Sequence, residues 1–165
     1  MPYMDIQQPK PKVWTKQQAQ LKAESFCAYQ ERAQQEVRNK LYEWGLHSAD
    51  VEEIISELIT QNFLNEERFA FAYTIGKFRM KGWGKIKIKQ NLRLKKISEK
   101  LIQKSLQKID ETDYINKLQL MLEKKSDLIS EKNSYKKQYK LIQYALSRGY
   151  EKDLIMDTLK NNKLS

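Results

Sequence analysis

The sequence predicts an all-α protein, a tandem array of three three-helix, helix-turn-helix-like repeats that is elongated and curved. Three observations carry this expectation. The 165 residues include only five glycines and three prolines, with 32% charged and 40% hydrophobic residues, a balance that suits helices rather than large β elements. Apolar residues recur at steps of three and four along most of the chain. The pattern also repeats. Aligning Gly45-Leu46 with Lys96-Ile97 and Gly149-Tyr150 superposes Val37, Ile88 and Leu141, then Leu41, Leu92 and Ala145. Beyond the turn, Val51, Ile102 and Ile155 coincide, as do Ile55, Leu106 and Leu159, with offsets of 51 and then 53 held constant within each unit. Each module is too small to bury its apolar face alone, so neighbours must stack.

Taken in order, residues 1–12 hold all three prolines and little to bury, which reads as a disordered tail. The first repeat occupies 13–64. Thr15 caps a helix carrying Ala19, Leu21, Phe26 and Cys27. A second helix from about Glu31 turns Val37, Leu41 and Trp44 inward and ends at Gly45. Asp50 and Glu53 have capping-box spacing near the start of a third helix, which buries Val51, Ile54, Ile55 and Leu58. The second, basic repeat spans 65–109. Asn65 caps a helix with Glu66 and Glu67 in its first turn and Phe69, Ala72, Tyr73 and Gly76 on its buried face. Gly82-Trp83-Gly84 breaks that helix, Gly82 taking the left-handed position. The alternation Ile86-Lys87-Ile88-Lys89 imitates a strand, but its register with Val37 and Leu41 makes it a helix. Ser98 opens the next helix, with Leu101, Ile102, Leu106 and Ile109. The third repeat, 110–165, begins with a helix over Asp110–Lys125 that carries Tyr114, Leu118, Met121 and Leu122. A linker near 126–134 and two helices at about Tyr135–Ser147 and Glu151–Lys160 complete it.

Charge is segregated along this scaffold. The net charge is +10. From Lys77 to Lys104 there are eleven basic residues and one acid, Glu99, whereas a solvated helix face ordinarily mixes signs. By contrast Glu43, Asp50, Glu52, Glu53 and Glu57 make the first repeat acidic. A polyanion is the natural partner of the middle repeat. Its candidate contact residues are Lys77, Arg79, Lys81, Trp83, Lys85, Lys87, Lys89 and Arg93. The cations supply attraction, and Trp83 either packs or offers its ring to a base or partner side chain.

Other chemistries lack their residues. His47 is the single histidine, in a turn without a partner acid or nucleophile. No Cys, His and carboxylate cluster has ligand spacing, so neither metal nor cofactor is expected. Gly82-x-Gly84 lacks the flanking strand, third glycine and Lys-Ser/Thr pair of a phosphate loop. Glu52-Glu53 and Glu66-Glu67 are adjacent pairs that diverge around a helix. The reading is a protein that is not an enzyme and takes no small-molecule substrate. The single cysteine, Cys27, suits a reducing cytosol. With no apolar run of transmembrane length and no signal-peptide pattern, a cytoplasmic monomer without a membrane partner is expected.

The chain resembles the RecX family of bacterial regulatory proteins. The resemblance rests on Phe63-Leu64-Asn65-Glu66-Glu67-Arg68-Phe69-Ala70, Lys81-Gly82-Trp83-Gly84 and Ile88-Lys89-Gln90-x-Leu92-x-x-Lys95-x-Ile97. Glu36-Val37-Arg38-x-Lys40-Leu41 and Arg148-Gly149-Tyr150 flank them. Two positions depart from the family pattern. Lys85 stands where proline often follows the second glycine, and Lys96 stands where glycine often ends the basic helix. The resemblance implies a regulator that binds the RecA–single-stranded DNA filament and limits its recombinase and coprotease activity, in DNA repair and the SOS response. The residues alone leave two other readings. One is a stand-alone, sequence-nonspecific DNA-binding helical module, with the basic helix in a groove. The other is binding at a membrane surface, disfavoured because the apolar face of the basic helix is needed by the core.

Overall fold

The computed structural model describes residues 14–162, and within them the chain forms nine α-helices and no strand. The expected tail at 1–12 lies outside the described residues. The helices are α1 (Lys16–Tyr29), α2 (Gln34–Glu43), α3 (Ser48–Thr60), α4 (Glu66–Lys81), α5 (Lys85–Leu94), α6 (Glu99–Leu106), α7 (Glu111–Leu128), α8 (Ser134–Ser147) and α9 (Lys152–Asn162). They group in threes, and the chain divides into two compact units at Asn65/Glu66. One unit holds α1–α3; the other holds α4–α9.

The repeat positions form the core. Val37, Ile88 and Leu141 are fully buried, as are Leu41, Leu92 and Ala145, and Val51, Ile102 and Ile155. The turn between the second and third helix of each module is also shared. Gly45, Lys96 and Gly149 have φ of 88°, 59° and 92°. In each turn the following residue's amide reaches back five positions, Leu46 to Leu41, Ile97 to Leu92 and Tyr150 to Ala145, at 3.1–3.2 Å. This is the Schellman arrangement, with a buried apolar or aromatic residue just past the left-handed one. Lys96 therefore holds a left-handed backbone that a Cβ disfavours by about 1–2 kcal/mol.

In the first unit, Thr15 caps α1 as expected, its hydroxyl accepting from the Gln18 amide at 3.2 Å while Gln18 Oε1 accepts from the Thr15 amide. Ala19, Ala23 and Cys27 recur at four-residue steps on the buried face of α1. Their small size lets α2 and α3 approach. Leu21, expected inside, is 66% exposed because it falls on the opposite face. Asp50 and Glu53 do not cap α3: that helix starts two residues earlier, at Ser48. Asp50 lies in its first turn, and Glu53 pairs with Lys16.

The second unit joins two modules. On α4 the buried residues are Phe69, Ala70, Thr74 and Phe78, so Ala72, expected inside, is exposed and Tyr73 and Gly76 are half-buried. The face is rotated by about one residue, roughly 100°, because Thr74 is drawn inward. Its hydroxyl donates to Ser105 Oγ on α6 at 3.0 Å, and Ser105 donates to the Ile102 carbonyl, all in a dry interior. Ser98 and Asp110 cap α6 and α7 through their side chains. Helix α7 runs on to Leu128, so the non-helical stretch before α8 is 129–133, shorter than expected.

Candidate functional site

The Gly82-Trp83-Gly84 turn between α4 and α5 is gripped by the third module. At the start of α5 three successive amides need partners, and Gly84 has no side chain to supply one. The Gly84 amide donates to the Arg148 carbonyl at 2.8 Å and the Ile86 amide to the Gly149 carbonyl at 3.0 Å. Between them, the Lys85 amide donates to Tyr114 Oη at 3.0 Å, and that hydroxyl donates to Glu151 at 2.6 Å. The end of α4 is treated in the same way. Its Arg79 carbonyl accepts from Lys117, Lys81's from Arg148, and Gly82's from Tyr150 Oη. The contact is close enough to exclude side chains: a Cβ on Gly84 would lie 2.3 Å from the Gly149 carbonyl oxygen, and one on Gly149 would lie 2.3 Å from Lys87 Cβ. Phe78, Tyr114 and Tyr150 fill the seam behind the glycines, the two tyrosines stacked at 5.1 Å. Burial pushes both phenols above their ordinary range, so they stay protonated donors at neutral pH.

Around this seam the sequence-predicted cations fall into distinct groups. Lys77 from α4 and Lys87 from α5 both lie over the Trp83 ring, at 4.9 and 4.6 Å from its centroid. Tyr73 meets the indole edge-on at 6.5 Å, and Lys77 and Lys95 lie over the Tyr73 ring at 5.4 and 5.8 Å. This is one cluster, with half-buried rings bearing cations from both helices. Arg79 and Lys81 end α4 in exposed positions, and Lys89 is half-buried on α5. Two candidates are drawn into ion pairs within the chain. Lys85 reaches Glu111 at 3.3 Å and the Tyr114 ring at 4.5 Å; the carboxylate answers a cation placed against the helix dipole. Arg93 holds Glu99 through two bonds, 2.5 and 3.2 Å, which keep that carboxyl below its ordinary range. Sequence reasoning missed Tyr73 and Lys95 as cluster members. The available signal was Tyr73 standing four residues before Lys77, a helical neighbour spacing.

The whole second module, 65–109, has thirteen basic residues and three acids, and two of those acids, Glu67 and Glu99, already pair with Lys104 and Arg93. Such a surface attracts polyanions. Among the described residues no group of His, Cys and carboxylates could hold a metal ion, and no helix is long and apolar enough to cross a membrane.

Comparison with known proteins agrees module by module. The sequence profile of the RecX first three-helix domain matches residues 19–58, that of the second 65–106, and that of the third 111–159. The regulatory protein RecX of Clostridium perfringens (strain 13 / Type A) is 34% identical over 137 residues, covering 80% of this chain and 64% of the relative. That of Bacillus cereus (strain AH820) is 27% identical over 150 residues, covering 89% and 56%. The chain thus spans less than two thirds of the length of these curated relatives. The crystal structure of RecX from Lactobacillus salivarius superposes with a TM-score of 0.81 at 25% identity, covering 91% of this chain and 97% of that one. A second RecX crystal structure, at 22% identity, shares the fold with a TM-score of 0.75, covering 86% and 73%. With all three modules matched in order, the chain belongs to the RecX family of regulatory proteins.

Proposed function

We infer that this chain binds the RecA–single-stranded DNA filament and limits RecA recombinase and coprotease activity, using its basic second module as the contact. The observation that carries the reading is the cation cluster around Trp83, set in a module with thirteen basic residues and three acids. An acidic protein surface or a phosphate backbone complements it, and the family's regulatory role directs the choice to the filament. Lys77, Trp83 and Lys87 form the centre of the proposed contact, with Arg79, Lys81 and Lys89 around it. Lys85 and Arg93 contribute less, since each already has a carboxylate partner. The acids of the first module either meet basic partner surface or balance the charge of the basic module.

The alternative of a groove-reading helix-turn-helix is disfavoured by one observation. Such motifs present the N-terminal residues of the second helix to base edges. Here the first amides of α5 are covered by Arg148, Gly149 and Tyr114.

The test is RecA ATP hydrolysis on single-stranded DNA, with RecA from the same organism and this protein titrated in at fixed physiological salt. Inhibition at amounts well below RecA is expected. The double variant Lys77→Glu, Lys87→Glu should weaken it by about a hundredfold, two reversed charges at a desolvating contact costing about 3 kcal/mol together. Inhibition that appears only when the protein saturates the DNA would sink the filament reading.

A further inference from the structure

The third module carries a second cationic surface of different make-up. From Lys132 to Tyr150 the chain has five basic residues, no acid, and tyrosines at 135, 139, 144 and 150. Tyr150 is buried in the seam, but Tyr135 and Tyr139 are 81% and 62% exposed. They stand four residues apart on α8 and so share a face. A lysine follows each of them, Lys136 and Lys140, and Lys132 lies in the non-helical stretch just before α8. Beside this stripe, between the end of α7 and α8, opens a cavity of about 550 Å³ lined by Lys125, Leu128, Ile129, Tyr139, Lys140 and Tyr144. Lys125 lies 4.8 Å over the Tyr144 ring, and Leu128 is 80% exposed at the rim. Glu131 lies 3.8 Å from Lys140, a loose surface pair that a phosphate can replace at little cost.

We propose that this face of α8 and the adjoining cavity bind single-stranded nucleic acid, with Tyr135 and Tyr139 stacking on bases and Lys132, Lys136 and Lys140 meeting phosphates. Rings and cations alternate here as bases and phosphates do along a strand. One helical turn advances the pattern by about 6 Å, a step that an unstacked strand can follow. A duplex hides the base faces that tyrosines need, so the surface selects single strands. An acidic protein face would complement the lysines yet leave two exposed rings without flat partners. The Trp83 cluster differs, because its rings are half-buried and already carry lysines of the chain. The inference is independent of the filament reading.

The experiment measures anisotropy of labelled oligothymidine and oligouridine of about 15 nucleotides, and of a duplex of equal length, with the full chain. Tyr135→Ala with Tyr139→Ala should weaken both single strands about tenfold or more and leave duplex binding and circular dichroism unchanged. Tyr135→Phe with Tyr139→Phe should retain binding, since the ring faces remain. Replacing Lys132, Lys136 and Lys140 by Gln should lower the slope of log affinity against log salt by about two. Equal losses on single strand and duplex, a loss in the Phe variant, or full single-strand binding by the Ala variant would overturn the proposal. So would a loss confined to RecA filament assays, which would assign the surface to a protein partner.

Discussion

The first and second modules repeat the same three-helix plan and use it in opposite ways. Residues 14–64 carry eight acids and five basic residues; residues 65–109 carry three and thirteen. The first closes its core with its own aromatics, Trp14, Phe26, Trp44 and Phe63 packing around the buried aliphatics, and Lys22 covers both tryptophans. The second leaves the amides of α5 and the last carbonyls of α4 to be completed by the third module. One plan thus yields a self-sufficient acidic unit and a basic one that is finished by its neighbour. The Gly-Trp-Gly signature divides accordingly: its glycines serve the seam, and its tryptophan belongs to the cation cluster.

The comparison breaks most visibly at Gly84. Its replacement by Ala forces a Cβ to within 2.3 Å of a backbone carbonyl that no rotamer can move. The expected cost is about 3 kcal/mol or more in the second unit, the upper range for overpacking, with the first unit unaffected. Trp83 fluorescence in a Trp14→Phe, Trp44→Phe background reports the second unit; a Trp83→Phe background reports the first. Guanidinium midpoints that fall equally in both would refute a seam confined to α4–α9. Tyr114→Phe keeps the stacked ring but removes the hydroxyl joining the Lys85 amide to Glu151. It should cost about 1–2 kcal/mol in the Trp83 signal alone.

Two substitutions should stabilise, and both sharpen the contrast. Lys96→Gly gives the second module the glycine that the first and third have at this turn. Relief of the left-handed backbone should add about 1 kcal/mol, read as a higher midpoint of the second unit. Gly76→Ala places a methyl where nothing lies within 4 Å, in the interior of α4. A gain of about 0.5–1 kcal/mol is expected, and a loss would show that the α4 surface is more crowded than its geometry indicates.

Much of the fold was legible because the repeat positions are apolar and buried three times over, so each module checks the others. Residues 86–89 are helical despite their strand-like alternation, for that reason. The face of α4 was not legible. Phe69, Phe71, Tyr73 and Phe78 spread apolar character around the helix, and the residue that sets its orientation is a threonine whose partner lies 31 residues away. The arrangement of the candidate residues was half legible. Segregated charge marked the module, and spacing alone could bring Lys77 and Lys87 to Trp83. The diversion of Lys85 depends on Glu111, and the meeting of Gly84 with Gly149 joins positions 65 apart, beyond any local pattern. The α8 stripe carries no such mark in the sequence, because tyrosines at four-residue spacing resemble core positions and only the exposure of Tyr135 and Tyr139 sets them apart.

The seam also bears on what holds the second and third modules together once chain continuity is removed. Their covalent link is the short segment 107–110, which includes the exposed Lys108. A single tryptic nick there would sever the backbone but leave the shared amide caps, the glycine contact and the Phe78–Tyr114–Tyr150 packing in place. The two fragments should then travel as one particle and part only in denaturant, and separately prepared halves should find each other again on mixing.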